Sequence, residues 1–431
     1  MNSYGRYVDR LERLVFHADL MREVDRTAAI AAALDGEPSA ELRRRVSVAR
    51  LRSAGAFFTG SALATRAIAA GFSRLPRDAK VLDPACGVGD LLVAVAGLLP
   101  LTSNLTSTLE EWGWRIFGRD LEREFVRATK LRLALTAIRR NTREPIALSK
   151  LPELFPGLDT GSSLADEELF AGASHIAINP PFTIVPAPDD CEFASGTVNS
   201  AAVFMDRCVC RSEPGAQIVA ILPEVLRSGS RYEKWRKLFE QRVTLTKVEV
   251  FGQFDRHTDV DVFIAVGKIR RKSIRRTAAS DWGRPARRNT TTIGQEFDVS
   301  VGPVVPYRDP HKGPWCPFIN ARELPAWTTV SSVSQHRRFK GRTYDGPFVV
   351  VRRTSRPGDT NRAVGTVVTA VRSVAVENHL LVLQPKERSV AICKQLVRSL
   401  RCREVDNYLN RRIRCRHLTV SALAELPWRE K

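Results

Sequence analysis

Between about residues 54 and 270, short apolar runs alternate with segments whose apolar residues recur at helical spacing. The runs that predict strands are KVLDPA (80–85), WRIFGRD (114–120), ASHIAINPP (173–181), AQIVAILPE (216–224), TKVEVF (246–251) and VDVFIAVGKI (260–269). The segments that predict helices are 89–99, 123–138, 201–210 and 231–241. Strands that alternate with helices pair mainly in parallel, with helices on both faces of the sheet. We therefore expect a doubly wound α/β domain with its ligand site at the carboxyl ends of the strands.

The pattern changes on both sides of this region. In the N-terminal part, apolar residues fall near helical spacing until Gly36-Glu-Pro38-Ser39 interrupts them, and Ser39 is a candidate N-cap for a second helix. A densely basic stretch, 268–289, predicts a linker or an exposed loop. After about residue 300, strand-like runs and two late helical segments predict a second, α+β domain. The expected regions are an N-terminal helical region (1–50), the doubly wound domain (51–270), a basic linker (271–300) and a C-terminal domain (301–431).

The composition favours an anionic partner. The chain has 67 Lys and Arg residues against 47 Asp and Glu, a formal net charge of +20 over 431 residues. Nucleic acid is the favoured partner, and an anionic membrane surface or simple solubility are the alternatives. The eight cysteines show no paired zinc-ligand spacing, no apolar run is long enough to span a bilayer, and no signal peptide begins the chain. We expect a cytoplasmic protein with reduced thiols, no metal and no membrane partner.

A glycine turn between a strand and a helix predicts a nucleoside-containing ligand. In Asp83-Pro-Ala-Cys-Gly-Val-Gly-Asp90, two glycines allow a tight turn, and the following helix presents free N–H groups. The next strand ends at Asp120, where a doubly wound fold places an acid that grips a ribose. The turn is neither G-x-G-x-x-G nor a G-K-[ST] phosphate loop. An ordinary strand–turn–helix connection is the alternative.

The segment Asn179-Pro180-Pro181-Phe182 carries the chemistry that methylation of an exocyclic amine requires. The lone pair of such an amine is delocalised into its ring, so the amine is a poor nucleophile. The side-chain oxygen of Asn179 and the carbonyl of Pro180 can accept its two N–H bonds, and two prolines hold that carbonyl in place. Phe182 offers a face on which an extruded base can stack. A simple turn after a strand is the alternative.

These motifs together resemble those of N6-adenine DNA methyltransferases. DPACGVGDLL is similar to their S-adenosylmethionine-binding motif, and Phe57-Phe58-Thr59-Gly60 is similar to the segment that precedes it, where the family usually has proline in place of Gly60. The motif order resembles the gamma type, as in type I and type IIG restriction-modification enzymes, with a C-terminal target recognition domain. The resemblance implies a Rossmann-like methyltransferase domain that transfers a methyl group from S-adenosylmethionine to the N6 amine of a flipped-out adenine. The cofactor-binding residues that it implies are Phe58, Thr59, Asp83, Pro84, Ala85, Cys86, Gly87, Gly89, Asp120, Leu121 and Ser162.

Two positions stay open within that resemblance. The family places an acid that binds the cofactor adenine in a G-D-S-L-like segment, but this chain has Ser162 there, with Asp159 and Asp166 nearby. The family also carries a second aromatic residue that stacks on the target base. Phe254 is preferred over Phe251 for this role, and burial in the core is the alternative.

An enzyme that extrudes a base also has to hold the duplex. The candidates for phosphate contact are Arg270, Arg271, Lys272, Arg275, Arg276, Arg337, Arg338, Arg352 and Arg353. For more than half of the basic residues an ordinary solvated surface is the alternative. The expected partners are double-stranded DNA and a separate specificity or restriction subunit, in restriction-modification or phage defence. The competing hypotheses are an RNA or protein-glutamine methyltransferase and a catalytically silent DNA-binding subunit.

Overall fold

The computed structural model describes residues 4–16, 21–47, 57–141, 153–166, 168–255, 258–272, 282–283, 291–369 and 371–428. The chain divides into two compact units. The first comprises Met1–Leu226 and Tyr232–Ser280, and the second comprises Arg227–Arg231 and Asp281–Lys431. No helix in the described part of the chain is both long and apolar enough to cross a membrane.

The described elements up to residue 269 follow the predicted alternation. The helices are α1 (Gly5–Phe16), α2 (Glu23–Leu34), α3 (Glu37–Arg45), α4 (Ser61–Gly71), α5 (Asp90–Ala96), α6 (Leu105–Gly113), α7 (Arg123–Asn141), α8 (Ser200–Arg211), α9 (Glu224–Ser228) and α10 (Glu233–Arg242), with 3-10 turns at Glu168–Phe170 and Ser230–Tyr232. The strands are β1 (Val81–Asp83), β2 (Ile116–Asp120), β3 (Leu158–Thr160), β4 (His175–Ile178), β5 (Ile184–Pro186), β6 (Thr197–Asn199), β7 (Gln217–Pro223), β8 (Val243–Asp255) and β9 (Thr258–Ile269).

Within the described residues, the first unit contains a seven-stranded sheet in the order β3-β2-β1-β4-β7-β9-β8. The neighbours from β3 to β7 pair in parallel, whereas β9 is antiparallel to both β7 and β8. Only two residues separate β8 from β9, which is too short a connection for a parallel pair. Since β1 lies between β2 and β4, the residues that follow these three strands share one edge of the sheet. The predicted α/β fold class is confirmed.

The N-terminal helices pack into the core of the first unit, where their apolar side chains contact the buried side chains of α7. Ser39 is not the N-cap of the helix that was predicted to follow Gly36. Helix α3 begins at Glu37 after Gly36, which has φ +67°, and Pro38 lies in its first turn. Proline is well placed there because the first helical N–H groups have no partner within the helix. Ser39 therefore lies inside α3.

The described part of the second unit contains two sheets and four helices. Its described helices are α11 (Ile293–Glu296), α12 (Val390–Leu400), α13 (Arg403–Arg412) and α14 (Val420–Ala424). Its described strands are β10 (Phe297–Val301), β11 (Trp315–Ile319), β12 (Thr329–Val330), β13 (His336–Arg338), β14 (Phe348–Arg352), β15 (Gly365–Val368), β16 (Ala375–Val376) and β17 (Leu380–Pro385). Among these residues the strands form sheets in the orders β10-β17-β14-β15-β12 and β13-β11-β16. The end of the segment expected as a linker, 271–300, contributes α11 and most of β10 to this unit.

Candidate cofactor and catalytic site

The glycine turn after β1 has a backbone that requires glycine. Gly87 has φ +54° and Gly89 has φ +81°, a region that L-residues with side chains rarely adopt. A Cβ atom on Gly89 would lie 2.6 Å from Cγ2 of Thr129 on α7, so a side chain there would also clash. The turn consequently brings its backbone close to α7 and leads directly into α5.

Two acids from neighbouring strands flank this turn. Asp83, at the end of β1, is only 2% exposed, and its Oδ1 accepts a hydrogen bond from the amide of Ala85 at 3.1 Å. Burial raises the pKa of Asp83 to about 8. Asp120, at the end of β2, accepts hydrogen bonds from the amides of Gly87 (3.0 Å) and Glu122 (2.9 Å), and burial raises its pKa as well. Acidic groups that are costly to bury ionised fit a site for a cationic ligand.

The Phe57–Gly60 segment and the Asn179–Phe182 tetrapeptide meet beside the glycine turn. Nδ2 of Asn179 donates a hydrogen bond to Oγ1 of Thr59 at 2.9 Å, across 120 residues of sequence. One cleft brings together residues from all three predicted segments. It is lined by Phe57, Phe58, Thr59, Asp83, Ala85, Cys86, Gly87, Val88, Asp90, Leu91 and Asn179. Three other residues predicted to bind the cofactor are neighbours in sequence of residues described above. Gly89 follows Val88 in the glycine turn, and Pro84 lies between Asp83 and Ala85. Leu121 follows Asp120, and 74% of its surface is exposed.

The structure gives a physical reason for the glycine at position 60. Gly60 has φ +74° and ψ 154°, a conformation that is essentially restricted to glycine and that proline cannot adopt. Its amide donates a hydrogen bond of 2.7 Å to Oδ2 of Asp90, and proline has no amide hydrogen to donate. The departure from the family pattern is therefore coupled to Asp90, a residue that the sequence-based prediction did not assign to the site.

Two substitutions at Gly60 separate the effect of its backbone conformation from the effect of its hydrogen bond to Asp90. Gly60→Ala keeps the amide but places a side chain in a glycine-only conformation, at an expected cost of about 1–3 kcal/mol in the free energy of unfolding. Gly60→Pro also loses the charge-assisted hydrogen bond to Asp90, which adds roughly 1.5–3 kcal/mol. Denaturant unfolding of the full chain measures both variants. Equal stabilities for Gly60→Pro and the wild type would contradict this account of the segment.

Within the described residues, only one end of the Asn179 side-chain amide has a hydrogen-bond partner. Its Oδ1 atom is buried and has no hydrogen-bond partner among the described residues. Buried acceptors are nearly always satisfied, so such an atom in a cleft calls for a donor from a bound molecule. Pro180 is buried and Pro181 is half-buried beside it. The carbonyl of Pro181 accepts a hydrogen bond from Oγ of Ser200.

Asn199 and Ser200 support the tetrapeptide, and the sequence-based prediction did not include them. Nδ2 of Asn199 donates to the carbonyl of Phe182 at 3.3 Å. Oδ1 of Asn199 also caps α8 by accepting a hydrogen bond from the amide of Ala201 at 3.0 Å. The available signal was an Asn-Ser pair directly before an apolar helix, which is typical of a helix N-terminus.

The two predicted stacking aromatics lie next to each other. The rings of Phe182 and Phe254 are 5.8 Å apart at 77°, an edge-to-face arrangement. Phe254 is buried, and Phe182 is half-buried against the same apolar cluster. Phe251 instead lies 5.5 Å from the guanidinium of Arg66. Phe182 is therefore more exposed than Phe254.

Ser162 is not brought into the cleft. It is exposed in the loop after β3, and the residues that line the described cleft do not include it. The two nearby acids face Arg119, which lies 3.2 Å from Asp166 and 3.7 Å from Asp159. A hydrogen bond of 2.9 Å from the amide of Gly161 to the carbonyl of Asp120 also joins this loop to the end of β2.

The basic residues expected at phosphates have different environments. In the first unit, Arg271 and Lys272 are exposed and Arg270 is half-buried, whereas Arg275 and Arg276 lie outside the described residues.

In the second unit, Arg338 is exposed but Arg337 is 2% exposed, which corrects its assignment to a phosphate-binding surface. The guanidinium of Arg337 packs on the rings of Phe318 (5.3 Å) and Phe339 (5.7 Å) and donates to the carbonyl of Asp309.

Arg352 and Arg353 are half-buried and also bind backbone carbonyls. Arg352 donates to the carbonyl of Leu324 at 2.9 Å. Arg353 donates to the carbonyls of Leu418 and Asn378. These contacts engage part of each guanidinium in holding the second unit together.

No protein-family model and no curated protein matches the sequence. Among solved structures, the chain is similar to MmeI, a Type IIL restriction-modification enzyme in complex with DNA, with a TM-score of 0.56 and 13% identity over 90% of this chain and 70% of MmeI.

Weaker likenesses include the M protein of the type I enzyme EcoKI (TM-score 0.36, 16% identity, 62% of this chain and 63% of that one). Another is a modification subunit assigned to a type I restriction enzyme of Vibrio vulnificus YJ016 (TM-score 0.38, 17% identity, 53% of this chain). The chain spans only 46% of the Vibrio subunit.

Proposed function

We propose that this chain, which has the fold of restriction-modification methyltransferases, methylates the N6 amine of adenine in DNA with S-adenosylmethionine as the methyl donor. The observation that carries the proposal is the buried, unpartnered Oδ1 of Asn179 among the described residues, placed in one cleft with the glycine turn. A cofactor cleft alone would suit many ligands. An orphaned amide acceptor at its edge, followed by two prolines and an aromatic ring, suits an amine in an extruded base.

The residues present fit S-adenosylmethionine. The glycines at 87 and 89 let the backbone approach a ligand closely, and Asp83 and Asp120 place carboxyl groups at the ends of adjacent strands. Asp83 lines the cleft and would favour a cation such as the sulfonium or ammonium group of the cofactor. When bound, the cofactor supplies an electrophilic methyl group on sulfur.

In this proposal Asn179 and Pro180 prepare the amine for attack. Oδ1 of Asn179 accepts one N–H of the target and the carbonyl of Pro180 accepts the other, which draws the nitrogen toward tetrahedral geometry and localises its lone pair. The hydrogen bond from Nδ2 of Asn179 to Thr59 fixes which end of the amide faces the target. Because both acceptors are held before the substrate arrives, positioning accounts for much of the acceleration. Phe182 stacks on the extruded base, and the buried ring of Phe254 packs edge-to-face against the ring of Phe182.

Incubation with labelled S-adenosylmethionine and, separately, unmethylated DNA, RNA and protein extract tests the substrate class. We expect label in DNA, and sequencing of modified bases in DNA from cells expressing the chain should locate it at N6 of adenine within a defined site. Label in RNA or protein but not in DNA would replace the proposed substrate. No transfer to any substrate, even with a specificity subunit added, would favour a silent DNA-binding subunit.

We place part of the DNA contact on the second unit, as a target recognition domain, and the neighbours Arg337 and Arg338 provide a matched test. Arg338→Ala removes an exposed charge, so we expect weaker DNA binding, a salt dependence of log K reduced by about 1, and unchanged thermal stability. Arg337→Ala removes a buried guanidinium, so we expect a lower melting temperature and unchanged DNA affinity of the folded protein. DNA titrations at several salt concentrations, with thermal melts, measure both. An unchanged salt dependence in Arg338→Ala would remove that residue from the interface.

A further inference from the structure

Arg132 is an almost fully buried charge in the middle of α7, and it contacts both the end of α2 and the glycine turn that leads into α5. It is 1% exposed. Its Nη1 atom donates to the carbonyl of Val88 (2.6 Å) and to Oδ1 of Asp90 (2.8 Å). Its Nε and Nη2 atoms donate to the carbonyls of Ala33 (2.9 Å) and Leu34 (3.2 Å). These hydrogen bonds use four of the five N–H groups of the guanidinium, and a buried guanidinium requires such extensive pairing.

The contacts of Arg132 to α2 satisfy the end of that helix. The last carbonyls of a helix have no partner within it, and Arg132 binds the carbonyls of the last two residues of α2, Ala33 and Leu34. The N-terminal helices are thereby tied to the same side chain that holds the glycine turn at Val88.

Asp90 links Arg132 to the Phe57–Gly60 segment. Its two carboxylate oxygens point to different partners, Oδ1 to Arg132 and Oδ2 to the amide of Gly60 at 2.7 Å. Thr59, the residue before Gly60, accepts the hydrogen bond from Asn179. A continuous chain of hydrogen bonds and one peptide unit thus leads from the end of α2 to the catalytic amide.

A second, apolar contact joins the N-terminal region to the same segment. The ring of Phe58 meets the ring of Phe125 on α7 at 5.0 Å and 80°, and the ring of Tyr4, directly before α1, meets Phe125 at 5.3 Å and 84°. Tyr4 also lies 6.2 Å from Phe58 itself. The segment is therefore held from its polar side by Asp90 and from its apolar side by these rings.

We propose that Arg132 and Asp90 are positioning residues that fix the Phe57–Gly60 segment at the cofactor cleft, with the C-terminal end of α2 as their support. The hydrogen bonds that carry this inference are independent of the proposed function, but their expected effect on cofactor binding rests on it. Small displacements of positioned groups have large effects on binding and rate. Thr59 and Phe58 line the cleft, so a shift at Gly60 changes cofactor affinity and the orientation of Asn179 together.

The test uses Arg132→Met and Arg132→Lys in the full chain, with Arg115→Met as a matched control. Arg115 is also buried, and it donates to the carbonyls of Ala79 (3.2 Å) and Pro76 (2.6 Å), before the amino end of β1 and outside the described cleft. The first readout is hydrogen exchange of the Gly60 amide in the ligand-free protein. The second is the Kd for S-adenosylhomocysteine by calorimetry, at a temperature where melts show each variant to be folded.

For Arg132→Met we expect Gly60 exchange at least about tenfold faster and a Kd at least about tenfold higher, since loss of one charge-assisted network is worth roughly this factor or more. Arg132→Lys keeps the charge beside Asp90 and should recover part of both losses. Should the Met variant not fold, the Lys variant carries the test with changes in the same direction. Arg115→Met should lower the melting temperature with both readouts within about twofold of wild type.

Any one of three results would overturn the inference: unchanged Gly60 exchange in folded Arg132 variants, an unchanged Kd in those variants, or changes of equal size in Arg115→Met. Failure of the proposed function has a different signature. A wild-type protein that binds no S-adenosylhomocysteine would remove the cofactor assignment, and Gly60 exchange alone would then decide whether Arg132 and Asp90 hold the segment.

Discussion

Asn179→Ala should reduce kcat for methyl transfer by about 10³-fold, because removing one preorganised hydrogen-bonding group from an active site has an effect of this order. The lost acceptor is the buried Oδ1, which has no hydrogen-bond partner among the described residues, and the substitution also removes the hydrogen bond from Nδ2 to Thr59. DNA affinity should be unchanged. Single-turnover methylation and DNA titration with the same preparation measure both quantities.

Asn179→Asp sharpens this prediction. Aspartate keeps an oxygen acceptor in place, and the hydroxyl of Thr59 can donate to its second oxygen, so we expect it to retain more activity than alanine. If the oxygen of residue 179 acts as a hydrogen-bond acceptor, kcat should decrease in the order wild type, Asn179→Asp, Asn179→Ala. If the alanine variant keeps kcat within about tenfold of wild type, positioning by Asn179 does not explain the chemistry.

The sequence predicted the interior of the sheet well and its edge less well. Buried parallel strands are short, apolar and closed by glycine or proline, so the runs at 80–85 and 173–181 located β1 and β4. At the edge, TKVEVF predicted six residues, whereas β8 spans Val243–Asp255. Register shifts near Lys247 and Gly252 accommodate polar residues and a glycine that resemble a turn in the sequence.

In the candidate site, too, the sequence predicted features that depend on neighbouring residues and missed contacts between residues far apart in the chain. Glycines with positive φ and the Asn-Pro-Pro turn are local requirements, so the sequence displays them. Arg132 lies 42 residues from Asp90, and nothing local distinguishes it from the other basic residues of α7. Arg337 and Arg338 are adjacent in sequence, yet the alternation of a strand places one in the core and the other at the surface. Charge alone does not reveal burial.

Asp83→Asn should make the ligand-free protein more stable at pH 8 and weaken its binding of S-adenosylmethionine. Burial raises the pKa of Asp83 from an ordinary 3.8 to about 8 in the folded protein. Between these values the unfolded chain is ionised at this residue and the folded chain is protonated, so folding takes up a proton. The contribution of Asp83 to stability therefore falls as pH rises from about 4 to about 8, by roughly 1.4 kcal/mol per pH unit. Asparagine cannot ionise and removes this slope.

Cofactor binding should show the opposite pH dependence. A cationic ligand beside Asp83 favours the carboxylate, so binding to the wild type should release a proton below pH 8 and become tighter as the pH rises from 6 to 8. Calorimetry in buffers of different ionisation enthalpy measures the released proton, and melts at pH 6, 7 and 8 measure the stability slope. Asp78→Asn, at an exposed position, is the matched control and should change neither. If Asp83→Asn left both the slope and the proton release as in the wild type, Asp83 would not be the acid that the cofactor meets, and Asp120, the other acid with a raised pKa beside the glycine turn, would take that role.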